Sequence, residues 1–315
     1  MNSVGSLAVS ARYVRGALDG LEVRLERPSV TRLFLGQTPE FVARTVPCLY
    51  TLCAKAQGAA CRAALAAAQG EQAPWEDSAI LWIESLHEHF WRLLLDWPLA
   101  LGLPQAKEAF VTWRAARSGA QVGPATAALL ENTLLGLPAA VWREEGGSAA
   151  EHSLAGRCLA RLEHIEESAK FDPSPLTAGD WLAYWRDGRS DAPSVGHRAS
   201  IGVAWLARLR EAVDAALALE AGAPYPMAMA GDDGWGIGQA ITARGILTHG
   251  VRIEDGRVAA YRVWAPTDRH FADAACLAAL LQERTWPDLE RAQQALEQAV
   301  LALDPCLPYT VKVDN

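Results

Sequence analysis

Lysine is scarce in this chain of 315 residues: Lys55, Lys107, Lys170 and Lys312 are the only ones among 29 basic residues, and acids outnumber bases to leave a formal charge of −8. Nucleic-acid surfaces need clustered basic charge, so that class of partner is excluded. The bias toward arginine, with abundant alanine, speaks of a GC-rich genome more than of a function. Long apolar runs are also missing. The most apolar stretch, Ser78 to Leu103, is interrupted by Glu84, His87, Glu88, His89, Arg92 and Asp96, which excludes a membrane span. The N-terminus has no basic segment followed by an apolar one, so no export signal is expected and the location expected is cytoplasmic. The six cysteines include no CxxC pair. Scattered thiols in a chain without an export signal read as reduced cysteines, not as a disulfide framework. No Ser-His-Asp order or paired-carboxylate pattern stands out, so no catalytic residues are singled out.

What is present is a chain half hydrophobic by composition, long enough for a substantial core. Leu7 to Leu25 reads as a β-hairpin turning at Ala17-Leu18-Asp19-Gly20. Thr38-Pro39-Glu40 is a helix start, with Thr as N-cap, Pro at the first position and an acid in the first turn. That helix is expected to run through Cys53 to the Gln69-Gly70 loop. A second spans Ser78 to Trp97 and is stopped by Pro98. On it, His87 and His89 cannot share a face, whereas Glu84 and His87 can and are expected to bond each other.

Shorter helices follow at Pro104 to Arg117 and Pro124 to Leu135, then Ala149 to Ser168. Phe171 to Pro193, rich in Pro, Gly and Asp, reads as irregular connection. Helices are expected again at Ala199 to Glu220, Asp273 to Glu283 and Pro287 to Leu303. Between them, Val251 to Val258 carries Asp255-Gly256 between apolar-alternating flanks, a second hairpin signal. The Gly234-x-Gly-x-Gly run lacks a preceding strand and a following helix, so it is no dinucleotide loop. The fold expected is α+β and mainly helical, one domain over 1–315, with hairpins near the N-terminus and at about 242–265 and a flexible tail at 310–315. Most of the twelve tryptophans are expected to fill interfaces between helices.

The C-terminal third resembles the large subunit of nickel-iron hydrogenases. That family carries Gly-x-Gly-x-x-Glu-Ala-Pro-Arg-Gly-x-Leu-x-His, a hairpin, Pro-Thr-x-Trp-Asn and a terminal Asp-Pro-Cys-x-x-Cys-x-x-His. Here Gly236, Gly238, Arg244, Gly245, Leu247, His249, Pro266, Thr267, Asp304, Pro305 and Cys306 match. At the front, Gly5-Ser-Leu-Ala-Val resembles the first strand. Pro47 to Gln57 (PCLYTLCAKAQ) stands where the family has Arg-x-Cys-x-x-Cys-x-x-x-His. The departures matter as much. Tyr50 and Tyr309 fall on cysteine positions, Gln57 on a histidine, Ile241 on the acid, Ala243 on the proline and Val4 on a glutamate.

Four soft thiolates set a nickel site of that type, and two cannot, so the resemblance implies no working hydrogenase and no nickel. A degenerate large subunit with one thiol from each end resembles the HupK/HoxV-type accessory proteins of hydrogenase maturation, as do residues 82–98 and the Asp-Pro-Cys-Leu-Pro-Tyr end. That resemblance implies a hydrogenase large-subunit-like helical core. It also implies a scaffold holding or passing on the Fe(CN)2CO fragment, with the large-subunit precursor and HypC-type chaperones as partners. Cys53 and Cys306 would be the iron ligands. Arg244 and Thr267 would donate to the cyanide nitrogens, with Pro266 and His249 alongside. Cys48, Cys61, Cys158 and Cys276 read as packing residues. Two other functions stay open: a metal-free chaperone that mimics the large subunit, and thiol-redox chemistry, which the lack of a CxxC motif disfavours.

Overall fold

The computed structural model describes residues 5–50, 52–72, 74, 76–146, 149–162, 175–189, 192–193, 200–282 and 284–315. The architecture is α+β and mainly helical. A hairpin of β1 (Ser6–Val14) and β2 (Ala17–Glu26) leads through a 3-10 turn at Val30–Phe34 to α1 (Pro39–Leu49), α2 (Ala54–Ala68) and α3 (Ser78–Trp91). A π-helical turn at Arg92–Asp96 carries α3 into α4 (Trp97–Ala100). There follow α5 (Lys107–Ala116), α6 (Val122–Leu129) with a π-helical extension at Leu130–Leu135, α7 (Ala139–Glu144), α8 (Leu154–Leu159), α9 (Ala178–Arg186) and α10 (Ile201–Glu220). Strands β3 (Met227–Asp232), β4 (Trp235–Thr242), β5 (Gly245–Glu254) and β6 (Arg257–Trp264) come next. The chain closes with α11 (Pro266–His270), α12 (Ala275–Leu281), α13 (Leu289–Leu303) and β7 (Tyr309–Asp314).

Two sheets bracket the helices, and the ends of the chain meet in one of them. Its order is β2-β1-β7, with β7 parallel to β1 from Leu7↔Tyr309 to Arg12↔Asp314. The segment 310–315, expected as a flexible tail, is thus largely strand. Its Val313 is buried on the α-helical core. The first hairpin also turns earlier than its composition suggested. Arg15 and Gly16 take the two positive-φ positions (52° and 87°) that a tight hairpin turn needs. Gly20, expected in the turn, instead lies in β2 at φ 62°, where the pairing slips between Ser10 and Arg12.

The second sheet is a four-stranded antiparallel meander, β3-β4-β5-β6. The Asp255-Gly256 turn forms as its sequence predicts, at φ 51° and 73°, and Asp233-Gly234 makes a matching turn between β3 and β4. Helix α2 lies across this sheet at unusually short range. A Cβ placed on Gly236 would sit 2.0 Å from the Ala64 carbonyl, and one on Gly238 would sit 2.1 Å from that of Ala60. The glycine spacing therefore serves backbone-on-backbone packing, and the alanine-rich face of α2, including the buried Ala56, Ala60 and Ala64, is its counterpart.

The helical side holds the largest core. Trp97, Trp113, Trp142 and Trp205 are all nearly inaccessible there, among the leucines of α3, α6 and α10. Pro98 does not stop the helix. It removes one backbone donor, the turn before it widens to π geometry, and the freed carbonyls of Leu94 and Leu95 accept from the Ala106 N–H (2.9 Å) and the Gln105 side chain (3.0 Å). Within 171–193, expected to be irregular, α9 forms and buries Trp181. Of the helix expected at Ala149 to Ser168, α8 is seen, while 163–168 lie outside the described residues.

Gly238→Ala tests the α2–β4 contact. Overpacking against a backbone carbonyl that cannot rotate away is expected to cost about 2 kcal/mol or more. Urea denaturation of the variant should show a lowered midpoint at unchanged slope.

Candidate functional site

The helix expected to run unbroken through Cys53 is two helices with a corner between them. α1 starts as predicted, the Thr38 hydroxyl accepting from the Phe41 N–H at 3.3 Å. It ends at Leu49, and Tyr50 is extended (φ −118°, ψ 106°). Cys53 then occupies the N-cap of α2 but makes no side-chain cap. The unpaired backbone donors at that helix start are taken by Glu84 of α3, whose carboxylate accepts from Lys55 N (2.8 Å) and Ala56 N (2.9 Å). Glu84 is therefore not bonded to His87 as its spacing suggested; His87 pairs with Glu88 at 3.2 Å. With the cap supplied from outside, the Cys53 sulfur is left to face the interior.

At the other end of the sequence, α13 terminates on Asp304, which adopts the left-handed conformation (φ 50°, ψ 70°) and is completely buried. A non-glycine residue is strained there, and an ion network holds it. Arg92 Nε donates to one carboxylate oxygen at 2.6 Å and Arg208 Nη2 to the other at 2.9 Å. Arg244 Nε donates to the Asp304 backbone carbonyl at 3.1 Å. Arg92 also reaches the Pro305 carbonyl (3.2 Å) and pairs with Asp96. Burial opposes ionisation of Asp304, but the charges of Arg244, Arg92 and Arg208 outweigh it and hold the carboxyl well below the usual range.

Two residues further on, Cys306 is embraced by donors. Thr267 Oγ donates to its sulfur at 3.2 Å and accepts from its backbone N–H at 3.2 Å. Arg27, from the end of β2, donates Nη2 to the same sulfur at 3.2 Å and pairs through Nε with Asp268 at 2.9 Å. Buried Pro266 opens α11 and so fixes Thr267 in its first turn. The one proton of the Thr267 hydroxyl is thereby directed at sulfur in this structure, not at an outside acceptor.

Arg244 sits in the turn between β4 and β5 and completes the niche. Its Nη2 donates to Glu88 at 2.7 Å, while the buried Nη1 has no hydrogen-bond partner. The guanidinium interacts electrostatically with both Cys306 and Cys53, and the two thiols with each other. Burial pushes the Cys53 thiol up to about 12, against the pull of Arg244 and of the Gln57 amide, which donates to the sulfur at 3.5 Å. The arrangement thus offers two half-buried soft donors, one held by a guanidinium and one by an amide, with an unsatisfied guanidinium N–H beside them. Other buried donors also lack a partner, among them the indole N–H groups of Trp97, Trp142 and Trp205; what sets Nη1 of Arg244 apart is its place beside both sulfurs.

Of the residues singled out from the sequence, Cys53, Cys306, Arg244, Thr267 and Pro266 converge here. His249 stands one layer back, bonded to Gln57 Oε1 (2.7 Å) and Tyr261 OH (2.6 Å). Tyr50 lies near Cys53, whereas Tyr309 lies on β7 among Arg92, Asp96 and Asp304. Cys61 and Cys158 are buried and Cys48 is exposed. Among the described residues no group of three or more His, Cys, Asp or Glu side chains forms a metal cluster, and no helix is long and apolar enough to cross a membrane. Sequence reasoning missed Arg27 and the capping Glu84. It also missed the Asp304 hub; the one available signal was a buried-type Asp-Pro pair following a helix.

No family profile matches the chain. It is similar to the hydrogenase expression/formation protein HupK of Azotobacter vinelandii, 33% identical over 98% of both chains. It is also similar to HupV of Azotobacter chroococcum mcd 1, 31% identical over 98% of both, and to HoxV of Cupriavidus necator, 27% identical over 91% of both. Among solved structures, the Ni-Fe-Se hydrogenase of D. vulgaris Hildenborough in its as-isolated oxidized state superposes with a TM-score of 0.57 at 12% identity, over 93% of this chain and 94% of that one. The fold implied by the sequence resemblance is the fold found.

Asp304→Asn is expected to destabilise the protein by about 3–5 kcal/mol at pH 7, because three arginines lose a buried counter-charge. Since the folded pKa of Asp304 is depressed, its contribution is present above the unfolded value of about 3.9 and is lost as pH falls below it. Urea denaturation at pH 7 and pH 3 should show the stability difference between wild type and variant shrinking at the lower pH.

Proposed function

Because the chain belongs to the HupK and HupV hydrogenase expression/formation proteins, we propose that it serves nickel-iron hydrogenase maturation as a non-enzymatic carrier that holds or passes on the Fe(CN)2CO fragment. The observation that carries this reading is the free Nη1 of Arg244, a buried donor without an acceptor beside thiols drawn from both ends of the chain. The cargo supplies acceptors of the missing kind, the cyanide nitrogens, on an iron whose remaining positions suit soft sulfur.

In this account Cys306 and Cys53 hold the iron. Arg27 and Thr267 offset charge at the Cys306 sulfur, and Arg244 gives its free N–H to a cyanide. The Cys53 thiol, kept protonated by burial, releases its proton on loading, since thiolate is the ligand form. Four thiolates are not available, so nickel is not part of the cargo. The partners that fit are the large-subunit precursor as recipient and a HypC-type chaperone as supplier, in the cytoplasm.

The metal-free alternative, a mimic that docks on the immature large subunit, draws support from the exposed Phe41, Leu49 and Leu52 around the Cys53 corner. Infrared spectroscopy with iron analysis separates the two readings. Protein purified without air from a maturation-competent host is expected to show cyanide and carbonyl bands with stoichiometric iron, and Cys53→Ser with Cys306→Ser should lose both. Wild-type protein without bands and with little iron, or full hydrogenase maturation in the double variant, contradicts the carrier reading.

A further inference from the structure

Behind Cys53 lies a chain of polar side chains that the carrier reading does not use. Gln57, one turn along α2, donates Nε2 to the Cys53 sulfur (3.5 Å) and places Oε1 at 2.7 Å from His249 Nε2. The other ring nitrogen of His249 lies 2.6 Å from the Tyr261 hydroxyl, and Tyr261 in turn lies beside the Cys61 thiol. Every member is enclosed: Gln57 is 2% exposed, His249 and Cys61 0%, and Tyr261 6%. The register explains the meeting. His249 and Tyr261 sit on paired strands β5 and β6, Val251 opposing Tyr261, so the two side chains are diagonal neighbours on one face. That face packs on α2, where Gln57 and Cys61 stand four residues apart. Polar chains of this depth are costly unless fully satisfied, and an apolar contact would join the same elements more cheaply.

We propose that Tyr261, His249 and Gln57 form a one-directional relay whose product is a fixed N–H donor on the Cys53 sulfur, making Gln57 a positioning residue for that ligand. The direction follows from counting protons. His249 is neutral, burial pushing it down to about 3, so its ring carries one proton. If Nδ1 held it, the Tyr261 hydroxyl would have only the Cys61 sulfur to donate to, a weak acceptor. Gln57 would also have to reverse its amide, which in the structure points Nε2 at the sulfur and Oε1 at the ring. With the proton on Nε2 the three observed contacts run one way: Tyr261 O–H to Nδ1, Nε2–H to Gln57 Oε1, Gln57 N–H to sulfur. The effect of the relay on bound iron rests on the carrier reading, but its direction does not.

The test has two arms on the full chain. Long-range 1H–15N correlation spectra of the metal-free protein are expected to show His249 as the neutral Nε2–H tautomer, unchanged from pH 8 to pH 6. A neutral Nδ1–H ring or an imidazolium in the wild type overturns the relay. In protein loaded with the iron fragment, Gln57→Met is expected to shift the carbonyl band to lower wavenumber than wild type, because a thiolate relieved of its hydrogen bond donates more charge to iron. A band that stays in place overturns the positioning role. If wild-type protein carries no bands, the carrier reading fails while the tautomer still decides the relay.

Discussion

The carboxylate of Asp304 is the interaction on which the rest of the site depends. It draws in Arg92 from the widened turn after α3, Arg208 from α10 and, through its backbone carbonyl, Arg244 from the sheet. Three elements distant in sequence are thereby tied to the end of α13. The same residue, held in a left-handed conformation, turns the chain so that Cys306 comes back against Thr267. Lone charges are not stable at this depth, but acids and guanidinium groups that share hydrogen bonds are. Glu88 completes the balance by taking Nη2 of Arg244, which leaves Nη1 as the single open donor of that guanidinium.

Around this anchor the two sulfurs are made unlike. Cys306 accepts from a hydroxyl and a guanidinium and remains partly accessible. Cys53, also half-buried, receives one amide N–H and stands at a helix start whose backbone donors are already taken by Glu84. The Cys53 thiol, pushed up by desolvation, gives up its proton only when something such as a metal takes the proton's place. The close seating of α2 on β4, backbone against glycine, fixes where the second sulfur stands relative to the first.

Much of this was legible in the residues. Thr38-Pro39 and Asp255-Gly256 carry local turn and cap chemistry, and each formed where it stands. The convergence of Cys53, Cys306, Arg244 and Thr267 was legible only because the motifs containing them resemble those of a known family; no periodicity places residues 53 and 306 together. What stayed hidden depends on long-range packing. Gly236 and Gly238 match a family motif in the sequence, but their packing use shows only once α2 is seen lying on them. Residues 310–315 have no hydrophobic run of their own and become a strand only because β1 offers them an edge. Pro98 carries a stop signal that Ala106 and Gln105 cancel by satisfying the carbonyls it frees. Gln57 looked like a lost histidine, and its use emerges only with His249 behind it.

The central claim, that thiols from opposite ends of the chain hold one iron, is tested most directly by X-ray absorption at the iron edge of the loaded protein. The account predicts two sulfur scatterers at about 2.3 Å, the length of a metal–thiolate bond, with one removed by Cys53→Ser and one by Cys306→Ser. Iron bound without sulfur neighbours, or a sulfur shell unchanged in either variant, would contradict it.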